Sequence, residues 1–144
     1  MTYTIKDVAK ILGLSIYTIR FYDKEGLLPF ISRNKSGNRE FTESDLNFFK
    51  VICCLKHSGM QIKDIKKYID LCIEGTGTID SRQKLLVEHR EEVVKQIDQL
   101  TEMLDVIDFK IEMYESPNAV EIINAQRRKA YDERRENNLL QTTV

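Results

Sequence analysis

The stretch SIYTIRFYDKEGLL, from Ser15 to Leu28, decides how this chain is read. Ser15 carries a hydroxyl able to accept from the first free amides of a helix. A segment of helical length follows, offering Thr18, Arg20 and Tyr22 as polar side chains, and Gly26 supplies the left-handed residue that closes a helix. Immediately upstream, IKDVAKILGL forms another short helical pattern ending at Gly13. Two short helices about a glycine turn, the second bearing Arg and Tyr, have the form of a helix-turn-helix that reads DNA. Arg20 presents a planar fork suited to a guanine edge or a phosphate. The hydroxyls of Tyr17 and Tyr22 can reach phosphate oxygens. For these residues taken alone, a plain helical hairpin with a solvated face is the competing structure.

Outward from that stretch, Thr4 with Asp7 three residues on is close to a capping box, and Val8, Ile11, Leu12 and Leu14 form the apolar side of the first helix. Ile16, Ile19 and Phe21 are expected to face inward from the second, before Leu27 and Leu28 return to the core. Residues 30–41 are polar and basic, with Arg33, Lys35 and Arg39 around Ser36-Gly37, and predict a two-stranded wing. Thr42 and Asp45 repeat the helix-start signal. The helix of about residues 43–58 places Phe49, Ile52 and Leu55 at three-residue steps and ends at Gly59. Ile62, Ile65, Ile69 and Cys72 mark a fourth helix, stopped by Gly75 and Gly77.

From Ile79 the period changes. Ile79, Leu86, Val93, Leu100, Ile107 and Tyr114 recur every seven residues, and Ile97, Leu104 and Ile111 fill the alternate seam position. This is a heptad repeat. Gln83 and Arg90 interrupt the seam early, so the tightest pairing is expected from Val93 onward. A single rod of this length cannot cover its own apolar stripe, and a second copy of the chain is the simplest partner. Ser116-Pro117-Asn118 interrupts the rod. Residues 119–131 are expected to form a last short helix, and the sequence after Tyr131 a mobile tail. Arg127, Arg128, Lys129, Arg134 and Arg135 read as an intermingled, solvated charge run, with DNA contact as the alternative.

The chain has 144 residues and a formal net charge of −1. That balance hides an asymmetry: residues 1–78 hold twelve Lys/Arg against nine Asp/Glu, and residues 79–144 hold ten against fourteen. The basic half is the one with the DNA-reading pattern, where phosphate contact needs that sign. No apolar run reaches the ~18 residues of a membrane span, and MTYTIKDVAK lacks a secretion signal. A cytoplasmic protein is expected, with its three cysteines as free thiols. No paired-carboxylate pocket, Gly-rich phosphate loop or nucleophile–base set is visible, so catalysis has little support.

The segment from Tyr3 to Phe41 resembles the MerR family of bacterial transcription regulators. The resemblance rests on YTIKDVAK (3–10), Gly13-Leu14-Ser15, TIRFYDKEGLL (18–28), Arg33, Gly37-Asn38-Arg39-Glu40-Phe41 and Leu46. The family's wing reads Asn-Gly-Tyr-Arg-x-Tyr or Phe, and Asn38 stands here at the Tyr position. The resemblance implies a mainly α fold in three parts. These are a winged helix-turn-helix DNA-binding domain over 1–76, an antiparallel coiled-coil dimerisation helix over 78–115, and a short helix with tail over 116–144. It further implies a homodimer on an inverted-repeat promoter element, activating RNA polymerase by distorting the promoter. Ser15, Tyr17, Thr18, Arg20 and Tyr22 are the candidate DNA contacts of the second helix. Arg33, Arg39 and Lys56 are the candidate backbone contacts.

At ~100° per residue, Cys53 lies about 40° from Phe49, at the edge of the buried stripe, whereas Cys54 lies about 160° from Ile52, off the core. Lys50 and His57 share the side of Cys54, and positive neighbours favour a thiolate. Cys53 and Cys72 read as small buried hydrophobes. An adjacent Cys pair points to two sides of one helix and chelates poorly. The segment SPNAVEIINAQ holds neither Cys nor His, where metal-sensing relatives place a Cys pair. No metal and no cofactor are therefore expected, and His89 reads as a surface residue. CLKHSGM (54–60), with IKDIK (62–66), Leu71-Cys72, IDFKI (107–111) and Tyr114-Glu115, resembles the branch that responds to aldehydes and thiol-reactive electrophiles. That resemblance makes Cys54 the sensor candidate. A regulator of the same fold with a non-covalent apolar ligand, and a coiled-coil adaptor without DNA, are the other readings.

Overall fold

A computed structural model describes residues 1–140. Strand β1 (Tyr3–Thr4) leads into helices α1 (Ile5–Leu12) and α2 (Ile16–Lys24). The wing strands β2 (Ser32–Arg33) and β3 (Arg39–Phe41) follow, then α3 (Glu43–His57) and α4 (Ile62–Glu74). A 3-10 turn (Thr76–Thr78) precedes the long α5 (Ile79–Glu115), and α6 (Ala119–Glu136) comes last. Two compact units divide inside α5, one over Met1–Val94 and one from Lys95 onward. No helix among the described residues is long and apolar enough to cross a membrane.

Both threonine caps form capping boxes. The Thr4 hydroxyl accepts from the Asp7 amide while the Asp7 carboxylate accepts from the Thr4 amide at 2.8 Å; Thr42 and Asp45 repeat the exchange. The backbone and hydroxyl bonds from Thr4 hold the Asp7 carboxyl below its ordinary range, since they reward only the charged form. The expected two-stranded wing has a third strand. The sheet order is β1-β3-β2, all antiparallel, with Tyr3 opposite Phe41 and Arg33 opposite Arg39. Pairing with β3 is possible because Thr4 is both the last strand residue and the α1 cap.

Val8, Ile19, Leu27, Phe41, Phe49, Ile52 and Ile65 are fully buried and form the centre of the first unit. Leu85 and Leu86 of α5 pack against that centre. Leu86, expected in the rod seam, is thus covered by its own domain. The exit from α4 is held by Arg82. Its guanidinium donates to the carbonyls of Leu71 (3.2 Å) and Gly75 (2.7 Å) and to Thr78 Oγ1 (2.9 Å), satisfying acceptors that a helix end leaves free.

In the second unit α5 behaves differently. Every residue from Val94 to Glu112 is exposed, including Ile97, Leu100, Leu104, Ile107 and Ile111 of the seam. Met113 is buried, and Gln126 Nε2 of α6 donates to its sulfur at 3.4 Å. Helix α6 runs to Glu136, past Tyr131 where a tail was expected. Pairs Lys129–Glu133 and Asp132–Arg135, both at 3.9 Å, lie along it. Asn138 closes it at φ 57, with Leu139 N–H donating to the Arg134 carbonyl at 2.8 Å and Asn138 N–H to Arg135. That is a Schellman closure with Asn in the left-handed place usually held by Gly. The rest of the expected tail, 141–144, lies outside the described residues.

Candidate nucleic-acid interface

Gly13, at φ 64, ends α1, and Ser15 starts α2 two residues later. Ser15 Oγ accepts from the Thr18 amide at 3.0 Å and lies 2.8 Å from Thr18 Oγ1. Both hydroxyls are therefore engaged with each other at the α2 N-terminus, the end that a helix-turn-helix directs to bases. With Ile19 fully buried, ~100° steps put Tyr17, Arg20, Phe21 and Lys24 on the outward side. Tyr17 is 79% exposed, Arg20 and Lys24 are exposed, and Phe21 is at the exposed edge. No ion pair engages Arg20 among the described residues.

Tyr22 is not part of that face. It is buried, its ring meets Phe49 edge-on at 5.4 Å, and the Cys53 thiol is among the groups that act on its hydroxyl. Burial, then the thiol, pushes its hydroxyl up to about 12. The expectation that Tyr22 contacts phosphate is corrected to a core role, and the expectation that Phe21 faces inward falls with it. The reason is register: Tyr22 is one turn from Ile19 on the core side, while Phe21 is two residues from it and points away. The 3.6-residue period carries this signal, and it also marks Lys24, which reading by residue type passed over.

Asp23 ties the wing to α2. Its Oδ2 accepts from Arg39 Nε at 2.7 Å and lies 3.8 Å from Arg33 Nη2. Arg39 is only 20% exposed and turned toward α2, so its observed role is to position the wing. Arg33 is 54% exposed and also donates to the Gly37 carbonyl at 2.8 Å. Asn34 Oδ1 accepts from the Ser36 and Asn38 amides, both at 3.0 Å, which sets the wing turn with Lys35 exposed at its tip. Lys56 is half-buried in the last turn of α3.

The cysteines separate as their helical positions imply. Cys54 is exposed, and Cys53 and Cys72 are half-buried. Burial pushes the Cys53 thiol up to about 11 despite the lowering effect of the Tyr22 hydroxyl. Tyr68 is likewise raised by burial and then by Cys72. Among the described residues no cluster of three or more His, Cys, Asp or Glu could hold a metal ion.

His89 is not a plain surface residue. Its Nε2 lies 2.7 Å from Ser58 Oγ, and that hydroxyl donates to the Cys54 carbonyl at 2.7 Å. With the hydroxyl proton given to a carbonyl, Nε2–H is the donor to Ser58. The end of α3 that carries Cys54 is thereby bonded to α5 within the first unit. A 31-residue separation hid this pair in the sequence.

Residues 3–72 match the family described as MerR HTH family regulatory protein, and residues 49–108 match the one described as MerR, DNA binding. An uncharacterised HTH-type transcriptional regulator of Haemophilus influenzae is 42% identical over 87% of this chain and 93% of its own length. AdhR of Bacillus subtilis is 33% identical over 63% of this chain and 65% of its length. The crystal structure of HiNmlR, a MerR family regulator lacking the sensor domain and bound to promoter DNA, superposes with a TM-score of 0.74. It is 42% identical over 84% of this chain and 96% of that one. A MerR family regulator from Bacillus thuringiensis gives a TM-score of 0.75 at 44% identity, over 79% of this chain and all of its own. An outward Arg and Tyr on a capped second helix, a wing braced to it, and these likenesses lead to one conclusion: the chain belongs to the MerR family, in the NmlR/AdhR-like branch, and is a DNA-binding transcriptional regulator rather than an enzyme.

Proposed function

We propose that the chain works as a homodimer on an inverted-repeat promoter element, and that it raises transcription by distorting the DNA between the elements RNA polymerase reads. The observation that carries this is the outward face of α2. Tyr17 is 79% exposed, and Arg20 beside it is exposed with its fork unengaged among the described residues. Ser15 and Thr18 hold the helix N-terminus at the groove, and Arg33, Arg39 and Lys56 supply or position charge for the flanking backbone. A two-fold dimer places two such helices a DNA turn apart. Residues 1–76 are the reading domain, 78–115 the dimer rod and 116–144 the terminal segment. The likeness to HiNmlR, solved on promoter DNA, supports this reading, and a cytoplasmic location follows from it.

The rod supports the dimer. Its seam leaves Ile97, Leu100, Leu104, Ile107 and Ile111 about half exposed or more. Covering one such side chain is worth roughly 1.5–3 kcal/mol, so a stripe of five strongly favours a partner.

The inducer is an aldehyde or other thiol-reactive electrophile, and Cys54 is the residue it modifies. Cys54 is the exposed thiol of the three, and it shares its helix side with Lys50 and His57. The Ser58 bridge to His89 gives a route from its backbone to α5. A two-state response needs such a differential contact.

Fluorescence anisotropy on the DNA upstream of the chain's own gene tests the reading. Arg20→Ala should lose roughly 1–3 kcal/mol of operator affinity and relax sequence preference, with the dimer intact. Equal binding to operator and scrambled DNA by the unaltered protein would defeat it in favour of an adaptor. Cys54→Ser should keep operator binding and lose the transcriptional response to formaldehyde; a retained response would point to a non-covalent ligand.

A further inference from the structure

The charge run near the C-terminus is intermingled in sequence but sorted in space. On a helix turning ~100° per residue, Arg127, Arg128, Arg134 and Arg135 of α6 fall within about 120° of arc, with Tyr131 at its centre and Val120 at the same angle. Glu121 and Asp132 border that arc, and Glu133 and Glu136 lie beyond it with Lys129 between them. Tyr131 is 49% and Val120 72% exposed. Among the described residues, Arg135 pairs with Asp132, and no ion pair engages Arg127, Arg128 or Arg134. A merely solvated face has no need to gather four guanidinia around a tyrosine and a valine. Arg and Tyr together are the composition of a docking surface.

The complement is on the same chain. Asp98, Asp105 and Glu112 recur at seven-residue spacing on α5, with Glu102 beside them, and all four are exposed. From Lys95 to Glu115 the rod holds six acidic against two basic residues. We infer that, in the dimer proposed above, the Arg face of each α6 docks on the acidic row of the partner copy's α5. The inference rests on that dimer. The three residues of the turn Ser116–Asn118 span at most about 10 Å, comparable to the ~8–10 Å between paired helix axes. Each α6 therefore starts within reach of whatever rod lies against its own. Duplex DNA is the less suitable occupant, because the carboxylates of the adjoining rod would repel its phosphates.

Two charge-reversed full-length chains test this, one Arg127→Glu/Arg134→Glu and the other Asp98→Lys/Asp105→Lys. Each alone should dimerise on the order of tenfold more weakly than the parent by sedimentation equilibrium, because like charges then face each other. Mixed, they should form heterodimers well above the statistical half in native mass spectrometry, since both clasps are restored only between unlike copies. Lys63→Glu/Lys67→Glu on α4, mixed with the rod variant, controls for net charge and should give no excess. A statistical mixture, or an excess equal to the control's, overturns the inference and leaves the dimer standing. A monomeric parent removes the dimer itself. An α6 variant with unchanged dimer strength but weaker operator binding and a shallower salt dependence overturns it in favour of DNA. Should the reversal unfold α6, Arg127→Gln/Arg134→Gln keeps helix propensity and must still weaken the dimer; an unchanged dissociation constant for that variant overturns the inference too.

Discussion

The two halves of this molecule spend their apolar residues in opposite ways. Up to Val94 the chain turns Val8, Ile19, Phe41, Phe49, Ile52 and Ile65 fully inward and closes α1 and α3 with reciprocal capping boxes. From Lys95 on, Met113 is the one buried residue among those described, while Ile97, Leu100, Leu104 and Ile107 stand in the open. The first half is complete as a chain. The second leaves its stripe uncovered, and exposed apolar stripes of this kind mark association surfaces, as the dimer proposed above requires. The difference teaches that hydrophobic content alone does not say where a core lies; it can lie between copies.

The largest effect should come from the open half. Leu100→Ala with Leu104→Ala removes four leucines from a dimer, at roughly 2 kcal/mol or more each. By sedimentation the dissociation constant should rise by on the order of 10⁶, with the urea transition of the first unit almost unmoved. An unchanged dimer would break the contrast. The mirror experiment is Phe49→Ala, at a fully buried ring in contact with Tyr22. It should cost the first unit roughly 3–5 kcal/mol in urea unfolding. Thr42→Ala is smaller, about 1 kcal/mol, and sharpens the contrast because its capping box lies wholly inside the first half.

The smallest effect is alkaline. Cys53 is raised from 9.0 to about 11 and Tyr22 from 10.0 to about 12 by burial. In the unfolded chain both lose their protons earlier, so the unfolded state binds fewer protons across this range. Stability is then full below about pH 9 and declines as pH rises through the folded values. Urea midpoints for the first unit should fall between about pH 9 and 12, and Cys53→Ala should flatten the early part of that fall. A flat profile in the parent would show that the Tyr22–Cys53 pair is not sheltered.

Much of the reading domain was legible because its signals are local. Thr4, Ser15 and Thr42 cap within three residues of themselves, and Phe49, Ile52 and Leu55 lie on one helical stripe. Sequence and structure part where residue type competes with helical angle or where the partner lies far along the chain. Tyr22 offers a hydroxyl suited to phosphate, but one turn from Ile19 it belongs to the core. Arg39 reads as a free cation until Asp23 is brought to 2.7 Å from it. His89 has no neighbour in sequence that announces Ser58. The end of α6 is masked in the sequence because Asn138, not Gly, supplies its left-handed closure.

By itself the sequence determined the helix starts, the glycine turns, the seven-residue seam and the side of α3 on which Cys54 falls. All of these follow from periods and capping bonds that a chain carries along its length. Only the tertiary structure decided that Asp23 braces the wing, that β1 joins the sheet and that Ser58 links Cys54 to His89. Those are contacts between residues far apart in the chain. Which of several chemically suitable partners a side chain meets is set by packing, and packing is a property of the whole fold.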